Sequence, residues 1–221
     1  MKTLGKILVC SALASLPAAC GDNAGDDSPT SGSTGAGASD ATSGAAASGS
    51  TGASTGGGEK PVRDFTGPVT SDMTLSAENT YLMKGIVFVE AGATLTIEAG
   101  TTIMGEKASL GTLVIEPGAK LMADGTKDEP IVFTSQAEPG ERAAGDWGGV
   151  VLLGKAPINV PGGVANVEGI TGDGTQYGGQ SAGDSSGSLQ YVRIEFSGTQ
   201  LSPDNEVNGL TMAGVGSGTV I

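Results

Sequence analysis

The chain has 221 residues, no histidine and a formal net charge of −13, from 11 Lys and Arg against 24 Asp and Glu. This acidic balance disfavours nucleic acid and other anionic partners. Without histidine, a Ser-His-Asp triad, a Cys-His pair and the usual His-bearing zinc sites are excluded. Both cysteines, Cys10 and Cys20, lie near the N-terminus, so residues after position 20 contain no intramolecular disulfide and no Cys-ligated metal site.

Residues 1–19 have the organisation of an export signal. Lys2 and Lys6 precede an apolar run, Ile7 to Leu16, and the small residues Ala18 and Ala19 follow it. The run has ten residues, whereas a helix that spans a bilayer needs about 20. We therefore predict a cleaved signal peptide rather than a membrane-spanning helix.

The end of this signal resembles a bacterial lipobox, in which a Cys receives diacylglycerol and becomes the mature N-terminus. The match is Leu16-Pro17-Ala18-Ala19-Cys20, with Pro17 where the pattern has an aliphatic residue. The alternative is an ordinary secretory signal cut near Ala19, which would give a secreted protein. We predict lipid attachment at Cys20 and a location at the outer membrane or cell surface.

Residues 20–60 are predicted to form a disordered linker. They are mainly Gly, Ser, Thr and Ala with a few Asp, and they include no aromatic residue and no aliphatic residue larger than Ala. Such a segment cannot bury enough apolar surface to offset the entropy lost on ordering. A flexible chain of this length has a reach of roughly 35 Å, which would hold a folded body clear of a membrane.

The folded body, residues 61–221, contains one strand-forming pattern twice. GIVFVEAGATLTIEAG begins at Gly85 and GTLVIEPGAKLMADG begins at Gly111, a constant offset of 26 residues. Within the first copy, Leu95 and Ile97 alternate with polar residues, as in a strand with one buried face. A fixed period of short strands and Gly turns is typical of a solenoid.

The same features continue along the chain. Apolar strand positions recur at Ile131 and Phe133, at Val150 to Leu153, and at Val192, Ile194 and Phe196. The sequences Glu116 to Ala119 and Glu138 to Glu141 place Pro and Gly at the central positions of type II turns. No segment of the body has a sustained helical period with caps.

Strands this short could form a sandwich, an antiparallel barrel or a parallel β-helix. The repeat favours the β-helix, because residues one coil apart then stack at about 4.8 Å. Leu95 would lie above Leu121 and Val89 above Ile115, with Thr-rich outer faces in solvent. The predicted fold class is therefore all-β, a right-handed single-stranded parallel β-helix.

Several longer motifs carry a family resemblance. They are DWGGVVLLGKAPIN (146–159), EGITG (168–172), YGG (177–179), SSGSLQYVRIEFSGT (185–199) and NEVNGLTMAGVGSGTVI (205–221). Together they resemble a family of exported bacterial lipoproteins whose biochemical function is unassigned. The resemblance covers the chain from about position 70 onward and implies a pectin-lyase-like right-handed parallel β-helix. Members continue past the last motif, so we expect this chain to be truncated at its C-terminus.

The last predicted strand supplies candidate ligand-binding residues. Alternation places Tyr191, Arg193 and Glu195 on the outer face of the coil. The resemblance implies a sugar groove on that face, where a basic residue with nearby carboxylates can carry out β-elimination, often with calcium. The alternative is a surface ion pair beside an aromatic ring, which contributes little. We favour the alternative and predict no catalytic residue, because no cluster of carboxylates shares the face.

Trp147, the only tryptophan, is a further candidate, because an indole at an open groove can stack on a sugar ring. The alternative, which we favour, is packing at a turn of the coil. The segment Asp204 to Gly209 weakly matches a calcium loop, but Glu206 and Val215 depart from that pattern. We therefore predict no metal and no cofactor. The Gly-rich run from Gly169 to Gly187 is predicted to be a long excursion between coils, and we expect any ligand site of this fold to lie on such a loop.

These features predict a cell-surface lipoprotein that displays a β-helix on a flexible tether, with a structural, adhesive or glycan-binding role. The expected partners are the membrane, through the N-terminal lipid, and either a surface polysaccharide or another surface protein. The alternative is a polysaccharide lyase or hydrolase whose active coils lie beyond residue 221. A cluster of outward Asp or Glu with Arg or Lys on adjacent coils would favour the enzyme.

Overall fold

The computed structural model describes residues 59–202 and 205–221. The predicted signal peptide, the lipidation residue Cys20 and all but the last residues of the predicted linker therefore lie outside the described residues. Within the described ranges every regular element is a β-strand, and none of the chain there forms a helix long and apolar enough to cross a membrane.

Seventeen strands are present in the described residues. In chain order they are β1 (Val62–Phe65), β2 (Met73–Leu75), β3 (Thr80–Met83), β4 (Ile86–Val89), β5 (Thr94–Ile97), β6 (Thr102–Gly105), β7 (Thr112–Ile115), β8 (Lys120–Asp124), β9 (Ile131–Ser135), β10 (Val150–Leu153), β11 (Ala165–Asn166), β12 (Gln176–Tyr177), β13 (Gly187–Gln190), β14 (Val192–Ile194), β15 (Gln200–Ser202), β16 (Asn205–Glu206) and β17 (Leu210–Ala213).

Most of these strands form three parallel sheets. The first sheet has the order β1-β3-β6-β9-β14, the second β17-β10-β7-β4 and the third β13-β8-β5-β2. The chain visits the three sheets in turn, and each strand pairs with the equivalent strand of the next coil. This winding is a right-handed parallel β-helix, which confirms the predicted fold class. The two remaining pairs, β11–β12 and β15–β16, are antiparallel hairpins.

The register of the predicted repeat is confirmed. Leu95 pairs with Leu121, and Val89 pairs with Ile115, so the two copies stack one coil apart. The offset is not constant elsewhere, since Thr80 pairs with Thr102, one coil of 22 residues. Pairing preserves the strand positions, whereas the connections at the corners are free to differ in length because longer loops cost little extra entropy.

The inside of the coil is a continuous apolar core. Leu95, Leu121 and Phe133 have no exposed surface, and they belong to one cluster that extends along the coils. Each coil buries these side chains mainly against its neighbours, as expected for a solenoid. Phe196 is an exception to the predicted series of strand positions that face the core. It lies after the end of β14 with a φ of 59°, and its side chain is exposed.

Both predicted Pro-Gly turns have type II geometry. Ala119 N donates to Glu116 O at 2.9 Å and Glu141 N donates to Glu138 O at 2.9 Å. The φ values at the third positions are 97° for Gly118 and 98° for Gly140. Because L-residues rarely adopt such φ values, glycine is required at both positions.

The outer face of the second sheet differs from the solvated surface that the sequence predicts. All four residues of β10 are fully buried, and Val151 and Leu153 pack outside the coil against Val167, Ile170 and Val207. These three covering residues belong to two excursions, residues 154–186 and 195–209, which contain the two hairpins. The outer face of β10 is thus a second apolar core beneath the excursions.

Candidate binding site

Tyr191 and Arg193 lie on the outside of the coil at the first sheet. Tyr191 stands at the corner before β14 with a φ of 49°, and 61% of its surface is exposed. Arg193 is also exposed and forms an ion pair with Glu195. The structure therefore brings the predicted basic and acidic residues together beside an aromatic ring.

The Arg193–Glu195 pair is part of a polar network on this face. Glu195 Oε2 accepts a hydrogen bond from Thr134 Oγ1 at 3.2 Å, and Thr134 Oγ1 accepts one from Arg142 Nη1 at 3.3 Å. Arg142 Nε also donates to Ala137 O at 2.8 Å. Each charged group is engaged with a neighbour in the same network, and exposed pairs of this kind contribute little free energy.

A buried carboxylate lies one corner away. Asp146 is 1% exposed, and its oxygens accept hydrogen bonds from Lys107 Nζ at 2.8 Å, Ser135 Oγ at 2.7 Å and Ala143 N at 2.9 Å. The bond from Lys107, followed by those from Ala143 and Ser135, lowers the pKa of Asp146 to about 2. With its oxygens satisfied by the protein, this carboxylate joins three segments of chain and has no access to a ligand.

Trp147 is fully buried inside the coil. Its ring stacks with Phe133 at a centroid distance of 6.4 Å, and its Nε1 donates to Glu195 O at 2.8 Å. A Cβ added to Gly105 would lie 2.5 Å from the Trp147 side chain, so the glycine makes room for the indole. The interpretation of Trp147 as a sugar-stacking residue is therefore wrong for this structure, because no face of the ring is open to a ligand.

A cleft of about 520 Å³ lies elsewhere, over the outer face of the second sheet. Its floor is the last strand, β17, and its walls come from the two excursions. The lining residues are Ile158, Val160, Ala165, Asn166, Val167, Glu168, Tyr177, Glu206, Val207, Asn208, Thr211, Met212, Ala213 and Gly214. The buried contacts of Val167 and Val207 with the outer face of β10 hold both walls in place.

The cleft combines polar and apolar groups. The side chains of Asn166, Glu168, Glu206 and Asn208 are exposed, and they supply amide and carboxylate groups that bind hydroxyls. Val160, which is 39% exposed, and the half-buried ring of Tyr177 provide apolar surface. A concave surface with a few polar groups around apolar side chains is the usual composition of a small-ligand site.

Residues 67–221 match the family model described as a pectate-lyase like beta helix domain. This chain belongs to that family. No curated protein and no solved structure matches it. The family assignment agrees with the parallel coils and with the pectin-lyase-like fold that the sequence motifs implied.

In this pectate-lyase like domain, the described residues contain no group of three or more Asp, Glu, Cys or His side chains that could hold a metal ion. Across the same residues, every buried side-chain nitrogen or oxygen has a hydrogen-bond partner. The buried polar side chains of the described residues are therefore satisfied within the fold.

The sequence indicated the region of the cleft but not its residues. The Gly-rich run from Gly169 to Gly187 was predicted to carry any ligand site, and Tyr177 lies within it, whereas Glu168 directly precedes it. Asn166 precedes that run, while Glu206 and Asn208 come from the other excursion, where the sequence showed only a failed calcium loop. The missing information was that both excursions fold over the same outer face of β10 and β17.

Proposed function

We propose that this protein is an exported, lipid-anchored surface protein that displays its β-helix on a flexible tether and binds glycans in the cleft. The observation that carries the proposal is the composition of the cleft lining. Amide and carboxylate groups of Asn166, Glu168, Glu206 and Asn208 line the cleft together with the apolar side chains of Tyr177 and Val160.

This combination suits the chemistry of sugars. A sugar ring has hydroxyl groups around its edge, which pair with amide and carboxylate oxygens, and C–H groups on its faces, which pack on aromatic and aliphatic side chains. The cleft volume of about 520 Å³ lies within the ordinary range for small-ligand sites, roughly 300–1,000 Å³. An adhesive role would follow if the bound glycan belongs to a neighbouring cell or matrix.

The N-terminal sequence supports display at a surface. The signal-like residues 1–19, the lipobox-like Cys20 and the Gly- and Ser-rich residues that follow are the parts that a tethered lipoprotein needs. A ligand site on the displayed domain would then face the cell exterior.

Substitution of the two amides tests glycan binding in the cleft. We expect Asn166→Ala combined with Asn208→Ala to weaken binding to a responsive glycan about tenfold, because two hydroxyl contacts are lost. The measurement is titration calorimetry after a screen on a glycan panel. The matched control is Gln136→Ala, an exposed amide outside the cleft. Equal affinities for both variants, or no binding to any glycan, would contradict the proposal.

The second candidate function is a polysaccharide lyase, favoured by the cluster of Arg193, Glu195 and Arg142 on the outer face of the first sheet. The same glycan panel tests it when the ultraviolet absorbance of unsaturated products is followed with time. If the unsubstituted protein forms unsaturated products and Arg193→Ala does not, the protein is a lyase rather than a glycan-binding protein.

A further inference from the structure

The charge of the cleft restricts which glycan it accepts. Among the described lining residues, Glu168 and Glu206 are the charged side chains, and they stand on different excursions. Both are exposed at the surface of the cleft. A ligand between the excursions therefore meets carboxylates from both walls.

The surrounding sequence does not neutralise this charge. From Gly154 to Ile221 the chain has two cationic residues: Lys155, whose ammonium group lies beside Gly118 outside the cleft lining, and Arg193, which is paired with Glu195 at the first sheet. The same span includes Asp173 and Asp184 in addition to the two cleft glutamates. The potential in the cleft is therefore negative, and low-dielectric walls strengthen such a potential.

We infer that the cleft selects an amine-bearing glycan and rejects a polyuronate such as pectate. The inference rests on the proposed glycan binding and adds the chemical class of the ligand. An ammonium group is attracted by Glu168 and Glu206, whereas a uronate carboxylate is repelled by both. The apolar contacts with Tyr177 and Val160 are available to charged and neutral sugars alike, so charge decides between them.

The experiment uses three sets of oligosaccharides with the full mature chain. Chitin oligosaccharides and their deacetylated counterparts share a backbone and differ in charge, and oligogalacturonates carry the opposite charge. Dissociation constants are measured by calorimetry at low and high salt. We expect the deacetylated oligosaccharides to bind about tenfold more tightly than the acetylated ones at low salt, with the preference reduced at high salt.

Two double variants distinguish the effect of the cleft carboxylates on binding from the effect of the net charge of the protein. Glu168→Gln with Glu206→Gln should abolish the preference for the amine. Glu138→Gln with Glu141→Gln removes the same charge from an exposed turn outside the cleft and should retain the preference. Equal loss in both double variants would overturn the inference, because net charge would then account for the selectivity.

The remaining outcomes distinguish this inference from the proposed function. If oligogalacturonates bind as tightly as the deacetylated oligosaccharides, the charge selectivity is wrong while glycan binding stands. If acetylated oligosaccharides bind and deacetylation gives no gain, the inference likewise fails alone. If none of the three sets binds and the panel also gives no ligand, the proposed function itself is overturned.

Discussion

Asp146 shows how one buried charge can hold distant parts of the coil together. It accepts hydrogen bonds from Lys107 after β6, from Ser135 at the end of β9 and from the backbone of Ala143 in the following loop. An ionised carboxylate in such a position is stable only because its partners replace the lost water. The next residue, Trp147, is fully buried in the core.

Substitution of this carboxylate should therefore destabilise the fold. We expect Asp146→Asn to lower the free energy of unfolding by about 2 kcal/mol at neutral pH, because buried donors lose a charged acceptor. The folded-state pKa of about 2 lies below the ordinary value of 3.8. The carboxylate thus stabilises the protein above that ordinary value, and its contribution is lost as the pH falls towards 2. Denaturant titrations across this pH range should show the two proteins converging.

The exposed Asp128 provides the matched control for this prediction. Asp128→Asn should change the free energy of unfolding by less than about 0.5 kcal/mol. A neutral-pH stability of Asp146→Asn equal to that of the Asp128 variant would mean that the buried network contributes nothing.

At the scale of the strand, the position of a residue in the stack of coils determines how much it contributes to the free energy of unfolding. Val87 lies in β4, one coil in from the N-terminal end of the described β-helix, is fully buried and pairs with Leu113 on the next coil. Val62 begins β1 in the first described coil and is 53% exposed. The same side chain therefore serves the core in one strand and faces solvent in the other.

Truncation of these two valines tests the stacking of coils. We expect Val87→Ala to lower the free energy of unfolding by about 2 kcal/mol, because two buried methyl groups are lost and a cavity forms. Val62→Ala should cost less than about 0.5 kcal/mol. Thermal or chemical denaturation measures both, and equal costs would contradict the assigned faces of the strands.

At the scale of the molecule, short connections between strands build the regular coil, and long connections build the cleft. The coil from Thr80 to its partner Thr102 takes 22 residues, whereas the step from Val150 to its partner Leu210 takes 60. The additional chain forms the two excursions that cover β10 and frame the cleft. A regular scaffold therefore carries an irregular surface, the usual arrangement in which loops supply the function.

The predicted tether belongs to the same scale. We expect Cys20→Ser to move the protein from the membrane fraction to the soluble exported fraction and to abolish labelling with radioactive palmitate, because lipid attachment requires the thiol. Cys10→Ser is the control, because Cys10 lies within the predicted signal peptide and should have no effect on labelling. Palmitate incorporation that persists without Cys20 would show that the lipobox interpretation is wrong.

The sequence alone predicted much of the coil. Alternation in Leu95 and Ile97, the repeat that aligns Leu95 with Leu121, and the Pro-Gly turns at Gly118 and Gly140 are local signals, and each corresponds to an observed strand, register or turn. Local signals suffice here because a solenoid is built from contacts between successive coils.

Only the tertiary structure shows which side chains are exposed and which of them line the cleft. The sequence allows Trp147 either to stack on a sugar or to pack in the coil. In the structure its ring packs between Phe133 and Gly105, which excludes sugar stacking. The cleft residues Glu168 and Glu206 are distant in sequence, and no local pattern relates them. They line the same cleft because the outer face of β10 is apolar and both excursions bury side chains on it, a hydrophobic contact that only the folded coil creates.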